Sequence, residues 1–278
     1  MGENNVSLAS VKKSDMRLKI TVYVISIALV ILTLSPFFAL MGEFTGFKLN
    51  NPANVLKVFP KKMNELVKFF NERVTRGFFI SVFVTAASTI LNVYFSAMTA
   101  HAIYAYKWKF RKVFSNFILA LMMIPNIIAT SGFIHLVYKF NLVNNLLVLI
   151  LPAIATPISV VFMRLYLESC FSMELVYSAR IDGAGEFRIF NQIVLPILKP
   201  AIATQAIFAF VASWNDEGTP SVVLIDDKNK TLPLVTALYL AMGDYLMTAI
   251  VMSIPPIIAF LFLSKHIVEG VQLGSLKM

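Results

Sequence analysis

The sequence predicts an all-α membrane protein with six transmembrane helices. Three observations carry that expectation. Of 278 residues, 58% are hydrophobic and only 14% charged, against about 45–50% and about 25% in soluble domains. The apolar residues gather in uncharged runs of about 20, the length that crosses a hydrocarbon core. Short polar segments part these runs. One of them, Glu174 to Pro200 (ELVYSARIDGAGEFRIFNQIVLPILKP), carries charges yet keeps a helical apolar rhythm, which places it outside the bilayer.

Met1 to Lys19 is polar, with Lys12, Lys13, Arg17 and Lys19, and reads as cytoplasmic. Ile20 to Met41 is the first crossing. It is longer than a signal-peptide core and has no clear cleavage site, so it reads as retained. Gly42 to Arg76 is an external connection with Pro52, Pro60 and room for a short helix at Asn64 to Phe70. Gly77 to Tyr106 is the second crossing, and Lys107, Lys109, Arg111 and Lys112 mark the cytoplasmic side behind it. The third crossing spans about Val113 to Tyr138 and the fourth about Asn144 to Met163. A fifth starts at Pro200 and is interrupted by Asp216 and Glu217. Asp226 to Lys230 (DDKNK) is turn-like, and Thr231 to Gly243 is too short to cross, so it reads as interfacial or re-entrant. Tyr245 to Ser264 is the sixth crossing. Pro125, Pro152, Pro157, Pro255 and Pro256 fall inside crossings, where neighbouring helices or a wet cavity must satisfy the freed backbone groups. The expected organisation is a cytoplasmic segment 1–19, a six-helix domain 20–267 with the polar insert at about 169–196, and a cytoplasmic tail 268–278.

The net charge of +9 clusters beside apolar runs. Anionic lipid and topology account for it, and nucleic acid is not implied. The connection 42–76 departs from this pattern, with seven cations on the outer side. They suit an acidic receptor face, an anionic saccharide or plain solvent. The single cysteine, Cys170, excludes an internal disulfide. His101 and His135 stand alone without ligand-spaced partners, so no metal is expected.

Asn126, Thr130 and Ser131 are polar residues within the third crossing, and Asn126 and Thr130 share a helical face. Trp214, Asn215 and Asp216 end an apolar half-helix. Two readings stand for these six residues. They line a solute path, with Trp214 stacking on a sugar ring, or they glue helices together and sit at the interface.

The insert reads as a helix, a glycine corner at Gly183 and Gly185, and a second helix with Phe187, Phe190, Ile193 and Val194 on one apolar face. Pro196 and Pro200 end it. Ala179, Asp182, Gly183, Ala184, Phe190, Ile193, Leu195, Pro196 and Pro200 match A-x-x-D-G-A followed by F-x-x-I-x-L-P-x-x-x-P. This pattern resembles the EAA loop of binding-protein-dependent transport permeases, the membrane subunits of ABC importers. PAIATQAIFAFVASWND (200–216), TLPL (231–234) and IVEGVQLGSLKM (267–278) are similar to carbohydrate permeases of the maltose G-subunit type. Tyr177 and Ser178 stand where the family carries Glu-Ala, and Glu174 offers a carboxylate one turn earlier.

The resemblance implies a type I ABC importer permease fold in a bacterial cytoplasmic membrane, with a cytoplasmic N-terminus. The insert would be a coupling loop, with Glu174, Tyr177, Ser178, Ala179, Asp182, Gly183, Ala184, Phe187 and Pro196 meeting an ATPase. The loop Asp226 to Pro233 would enter the cleft of the solute receptor. Implied partners are a second related permease, a cytosolic ATPase dimer, an extracytoplasmic solute-binding protein, membrane lipid, and a sugar or oligosaccharide. The chain has no G-x-x-x-x-G-K-[ST] loop, so it is expected to be non-catalytic and to hold no cofactor, with ATP and Mg bound by the partner ATPase. An ion-coupled secondary transporter, a membrane enzyme and a permease for a non-sugar or acidic saccharide are the alternatives. The first of these would want charges buried mid-crossing and an inverted repeat. The second would want convergent His, Asp, Glu or Ser near one interface.

Overall fold

The structure is a computed structural model that describes residues 8–47 and 51–275. The first seven residues of the expected N-terminal segment, Lys48 of the external connection and the last three residues of the tail lie outside the described residues. The described residues are helical, without strands, and form two units that divide between Lys68 and Phe69.

In the first unit, α1 (Leu8–Thr45) is far longer than the expected crossing, and its apolar side chains from Leu18 to Phe38 are largely exposed. A turn at Gly46 (φ +72°) follows. An added Cβ there would stand 2.3 Å from Val58 Cβ, so only glycine fits. Asn54 Nδ2 donates to Gly46 O at 3.0 Å, and Phe44 meets Phe59 edge-on at 5.9 Å. α2 (Val55–Phe69) is longer than the short helix expected and runs through Pro60.

The second unit is built on α3 (Glu72–Ala105). Asn71 caps it, its Oδ1 accepting from the Arg73 and Val74 amides at 3.0 and 3.1 Å. At 1.5 Å per residue α3 is about 51 Å long, enough to reach from one membrane face past the other. Ser81, Thr85, Ser88, Asn92 and Ser96 recur along it at three- and four-residue steps and are buried. α4 (Arg111–Leu121) and α5 (Asn126–Lys139) follow, bent by 98° at a break that ends in Pro125. The third crossing is therefore two helices, where one interrupted helix was expected. α6 (Leu147–Cys170) tightens into a 3₁₀ turn at Leu151–Ala155 and is α-helical again from Pro157. α7 (Met173–Ile181) and α8 (Glu186–Ile197) form the insert. α9 (Lys199–Trp214) leaves α8 at 79° beside Pro200. A short α10 (Gly218–Val223), the apolar α11 (Leu232–Ala241) and α12 (Tyr245–Ser275) complete the chain.

Among the described residues four helices are long and apolar enough to cross a membrane, and the count reaches six if each bent pair is one span. α9 alone, at about 24 Å, falls short of a 30 Å core. α11 is ten residues long, as the short apolar stretch after Asp226–Lys230 implies. α6, α9 and α11 pack on α3, and α12 packs on α9.

α12 runs through Pro255 and Pro256 without ending. A proline cannot donate to the carbonyl four residues back, so Pro256 frees the Met252 oxygen. Trp214 Nε1 donates to it at 2.9 Å, which repairs the gap and buries the indole completely (0% exposed).

Candidate functional site: a surface elbow and a polar cleft

The insert is anchored from below. Ile103 of α3, Met163 and Leu167 of α6, Val176 of α7, and Ile189 and Val194 of α8 form one buried cluster. Close packing among these side chains fastens the insert to α3 and α6.

Its corner is a helix-terminating motif. Ser172 Oγ starts α7 by accepting from the Glu174 amide at 3.3 Å. At the other end the Gly183 amide donates to Arg180 O at 3.0 Å and the Ala184 amide to Ala179 O at 2.9 Å, with Gly183 at φ +79°. This pair of reversed bonds closes a helix only when a left-handed residue follows the cap. The A-x-x-D-G-A spacing is thus the spacing of this turn. Gly185 then leads into α8.

A charged contact braces the corner. Arg180 Nε lies 2.7 Å from Glu186 Oε1, the Tyr106 hydroxyl donates to Glu186 Oε2 at 2.5 Å, and the Arg180 guanidinium lies 5.6 Å from the centre of the Tyr106 ring. Burial, then the hydrogen bond to the Glu186 carboxylate, pushes the Tyr106 phenol up to about 12. Behind it His101 is buried, stacked on Phe190 at 5.9 Å and edge-on to Phe171. It is a packing residue, and His135 is exposed. Among the described residues no three His, Cys, Asp or Glu gather as a metal site.

The insert has two faces. Ala179, Ile189, Phe190 and Val194 point in, Ala184 and Ile193 are half-buried, and Glu174, Tyr177, Ser178, Asp182 and Pro196 are exposed. Phe187 is 73% exposed, so it does not share one apolar face with Phe190 and Val194. α8 widens into a π-turn at Phe190–Val194, and Phe187 lies in the turn before it. Ile181, passed over in the sequence reading, is 86% exposed four residues after Tyr177. Apolar Ile181 and Phe187 therefore project from either side of a charged corner.

The opposite end of α3 carries a second polar assembly. Asp227 pairs with Lys230 at 2.5 Å and with Arg73 at 3.1 Å, which holds its carboxyl below the usual range. Asn144, at φ +62°, accepts the Ile225 and Asp226 amides on Oδ1 at 2.7 and 2.9 Å, and its carbonyl accepts from Asn229 Nδ2 at 3.0 Å. Arg73 and Tyr106 bound α3, so this loop and the insert lie at opposite ends of one spanning helix.

Between the two ends α3, α5, α6 and α9 enclose an open cleft of about 730 Å³. Asn126, Thr130 and Asp216 line it, and a neighbouring 500 Å³ recess shares all three. Ser131, Trp214 and Asn215 do not line it. Trp214 is turned away to Met252, and Asn215 caps its own helix through Val211 O. Asp216 is half-buried and accepts from the Thr219 amide at 3.3 Å. Sequence reasoning missed Ser88, Asn92, Thr156, Ser159 and Gln205, which together with Ser213 supply much of the polar wall. They pair across helices: Asn92 with Thr156 at 2.8 Å, Ser159 with Gln205 at 3.0 Å, Ser88 with Ser213 at 3.1 Å. The regular recurrence of small polar residues in the second crossing was the available signal.

Residues 92–271 match the family model described as "Binding-protein-dependent transport system inner membrane component". The arabinooligosaccharides transport system permease protein AraQ of Halalkalibacterium halodurans is 37% identical over 202 residues, 71% of this chain and 72% of the relative. The melibiose/raffinose/stachyose import permease protein MelC of Bacillus subtilis is 28% identical over 87% and 91% of the two chains. A chain in the crystal structure of a bacterial ABC transporter involved in the import of the acidic polysaccharide alginate superposes with a TM-score of 0.72 at 20% identity, covering 91% of this chain and 96% of that one.

Proposed function

The chain belongs to the family of binding-protein-dependent transport system inner membrane components, and from that premise we infer that it is the non-catalytic, membrane-spanning subunit of an ATP-driven importer of sugars or oligosaccharides. Its fold is the type I ABC importer permease fold of a multi-pass membrane protein. The names of its relatives, permeases for arabinooligosaccharides and for melibiose, raffinose and stachyose, support a carbohydrate cargo.

The observation that carries the mechanical reading is the braced elbow. Its outer surface presents Glu174, Tyr177, Ser178, Ile181, Asp182 and Phe187, while its inner surface is fused to α3 and α6. An ATPase gripping that outer surface would move the walls of the cleft as one body. ATP and Mg bind to the ATPase, one of a cytosolic pair. A second, related permease closes the open side of the cleft. The elbow and the Lys107–Lys112 turn face the cytoplasm, as four clustered cations favour, and the N-terminus lies on the same side. The Asp226–Lys230 loop faces outward, toward a solute-binding protein. Asn126, Thr130 and Asp216, joined by Asn92 and Gln205, face the passing solute.

The test is to isolate the complete assembly and measure ATPase stimulation by its binding protein loaded with neutral or acidic oligosaccharides. A single cysteine at Ile181→Cys, in a Cys170→Ser background, should react with an impermeant maleimide only from the cytoplasmic side. Labelling from outside, or an assembly lacking an ATPase, overturns the reading.

A further inference from the structure

Between α3 and α4 the chain turns through Lys107-Trp108-Lys109-Phe110-Arg111-Lys112, four cations in six residues with no carboxylate among them. The four cations and Trp108 line a concavity of about 410 Å³. The turn joins two apolar helices, so it sits where both enter the membrane. Trp108 packs on Phe114 at 5.7 Å, an aromatic pair suited to that interface. Phe110 and Phe117 are exposed beside it.

The cationic cup continues along one face of α4. Arg111, Ser115 and Ile118 stand at i, i+4 and i+7 and share that face. Ser115 and Ile118, with Ile103, Val160 and Val161, line a narrower, mainly apolar slot of about 190 Å³. Arg164 also lines the slot, where it donates to Ser115 and is matched by Glu168 at 2.8 Å, so the unbalanced charge belongs to the turn.

A cationic cup with a mainly apolar slot further along the same helix face fits the two ends of one molecule, a phosphate-bearing headgroup and an acyl chain. We propose that the Lys107–Lys112 turn and the α4 slot form a binding site for an anionic phospholipid drawn from the surrounding bilayer. Basic pockets between membrane helices select such headgroups, with each cation near the surface contributing about fivefold in partition. Lys107 directly follows Tyr106, which holds Glu186, so an occupied cup would steady the anchor of the elbow. Binding itself does not depend on the transport reading.

The experiment places the intact assembly in phosphatidylcholine nanodiscs containing traces of photo-crosslinking phosphatidylglycerol or of the matching phosphatidylcholine. The expected result is crosslinking of residues 103–119 at least tenfold stronger with the anionic probe. K107Q/K109Q/R111Q/K112Q should abolish that preference. Val161→Trp, which fills the slot, should weaken labelling by both probes. Excess soluble glycerophosphate should not compete, which separates a lipid from a free phosphate. If the fourfold variant does not reach the membrane, Lys107→Gln with Lys109→Gln is read for a loss of about fivefold per charge. Equal labelling by the two probes overturns the site. So does competition by glycerophosphate, or a preference that survives the substitutions while the ATPase dissociates, which would make the cup a protein dock.

Discussion

Arg180 reaches over the Gly183 corner to Glu186, Nε to Oε1 at 2.7 Å, and the same carboxylate accepts the Tyr106 hydroxyl. One acidic side chain thus ties together α7, α8 and the end of α3. The Arg180–Glu186 pair is half-exposed, so its Coulomb contribution is modest, about 0–1 kcal/mol. The ties matter because they fix the angle between two helices whose only covalent link is a short glycine turn.

The phenol gives this contact a pH signature. Tyr106 is pushed up to about 12 from an ordinary 10.0. An acid whose folded value is raised holds its proton more tightly when folded. The stabilisation is therefore whole below pH 10 and is lost as the pH climbs through 12. A tyrosinate absorbance titration of the purified protein, minus that of Tyr106→Phe, should show one phenol ionising near 12. Ionisation of Tyr106 near the ordinary 10.0 would remove the Glu186 contact.

Gly183 separates local strain from docking. An added Cβ at Gly183 meets no atom of this chain within 4 Å, so the cost of any side chain here is the left-handed backbone, about 1–2 kcal/mol. Gly183→Ala should leave membrane abundance near the parent level and lower uptake modestly. Gly183→Trp bears the same strain but fills the space where the proposed ATPase would dock, so it should abolish uptake at similar abundance. Immunoblotting and labelled-sugar uptake read the two quantities. Parent-like uptake by Gly183→Trp would end the assignment of this corner to coupling.

Trp214 and Asp216 lie two residues apart and should fail differently. Trp214→Ala removes a completely buried indole and reopens the Met252 carbonyl, a loss of about 3–5 kcal/mol that should appear as reduced abundance and thermal stability. Asp216→Asn keeps size and the Thr219 cap while changing the charge facing the cleft. Abundance should hold while the apparent affinity or rate of uptake shifts. The opposite pattern, with Trp214→Ala folded but transport-defective, would return the indole to the solute path.

The helix order, the glycine corner and the short apolar helix after Asp226–Lys230 were legible because each rests on local chemistry: charge-free length, a residue that tolerates positive φ, proline at helix starts. The 98° bend at Pro125 was not, because a proline signals a break but the angle is set by what the two halves pack against. Trp214 shows the same limit. An indole at the end of an apolar half-helix looks like a solute contact. Its partner is the Met252 carbonyl, 38 positions later and freed by Pro256, and only tertiary placement joins them. The cleft wall was half visible. Asn126, Thr130 and Asp216 stand out as polar breaks in apolar runs, whereas Ser88, Asn92 and Gln205 needed the periodicity of α3 and the approach of α6 and α9 to gain meaning.

Asn144 leaves the 225–229 strand of chain little independent freedom. Two amides and one side-chain amide converge on this residue, the Asn144 amide returns a bond to Val223 at 2.9 Å, and Tyr138 adds another to Val222 at 2.8 Å. A pull applied to Asp226 or Asn229 must therefore load the Tyr138–Asn144 turn and, behind it, the same helix that sets Asn126 and Thr130. What touches this loop is levered through α5 into the cleft lining.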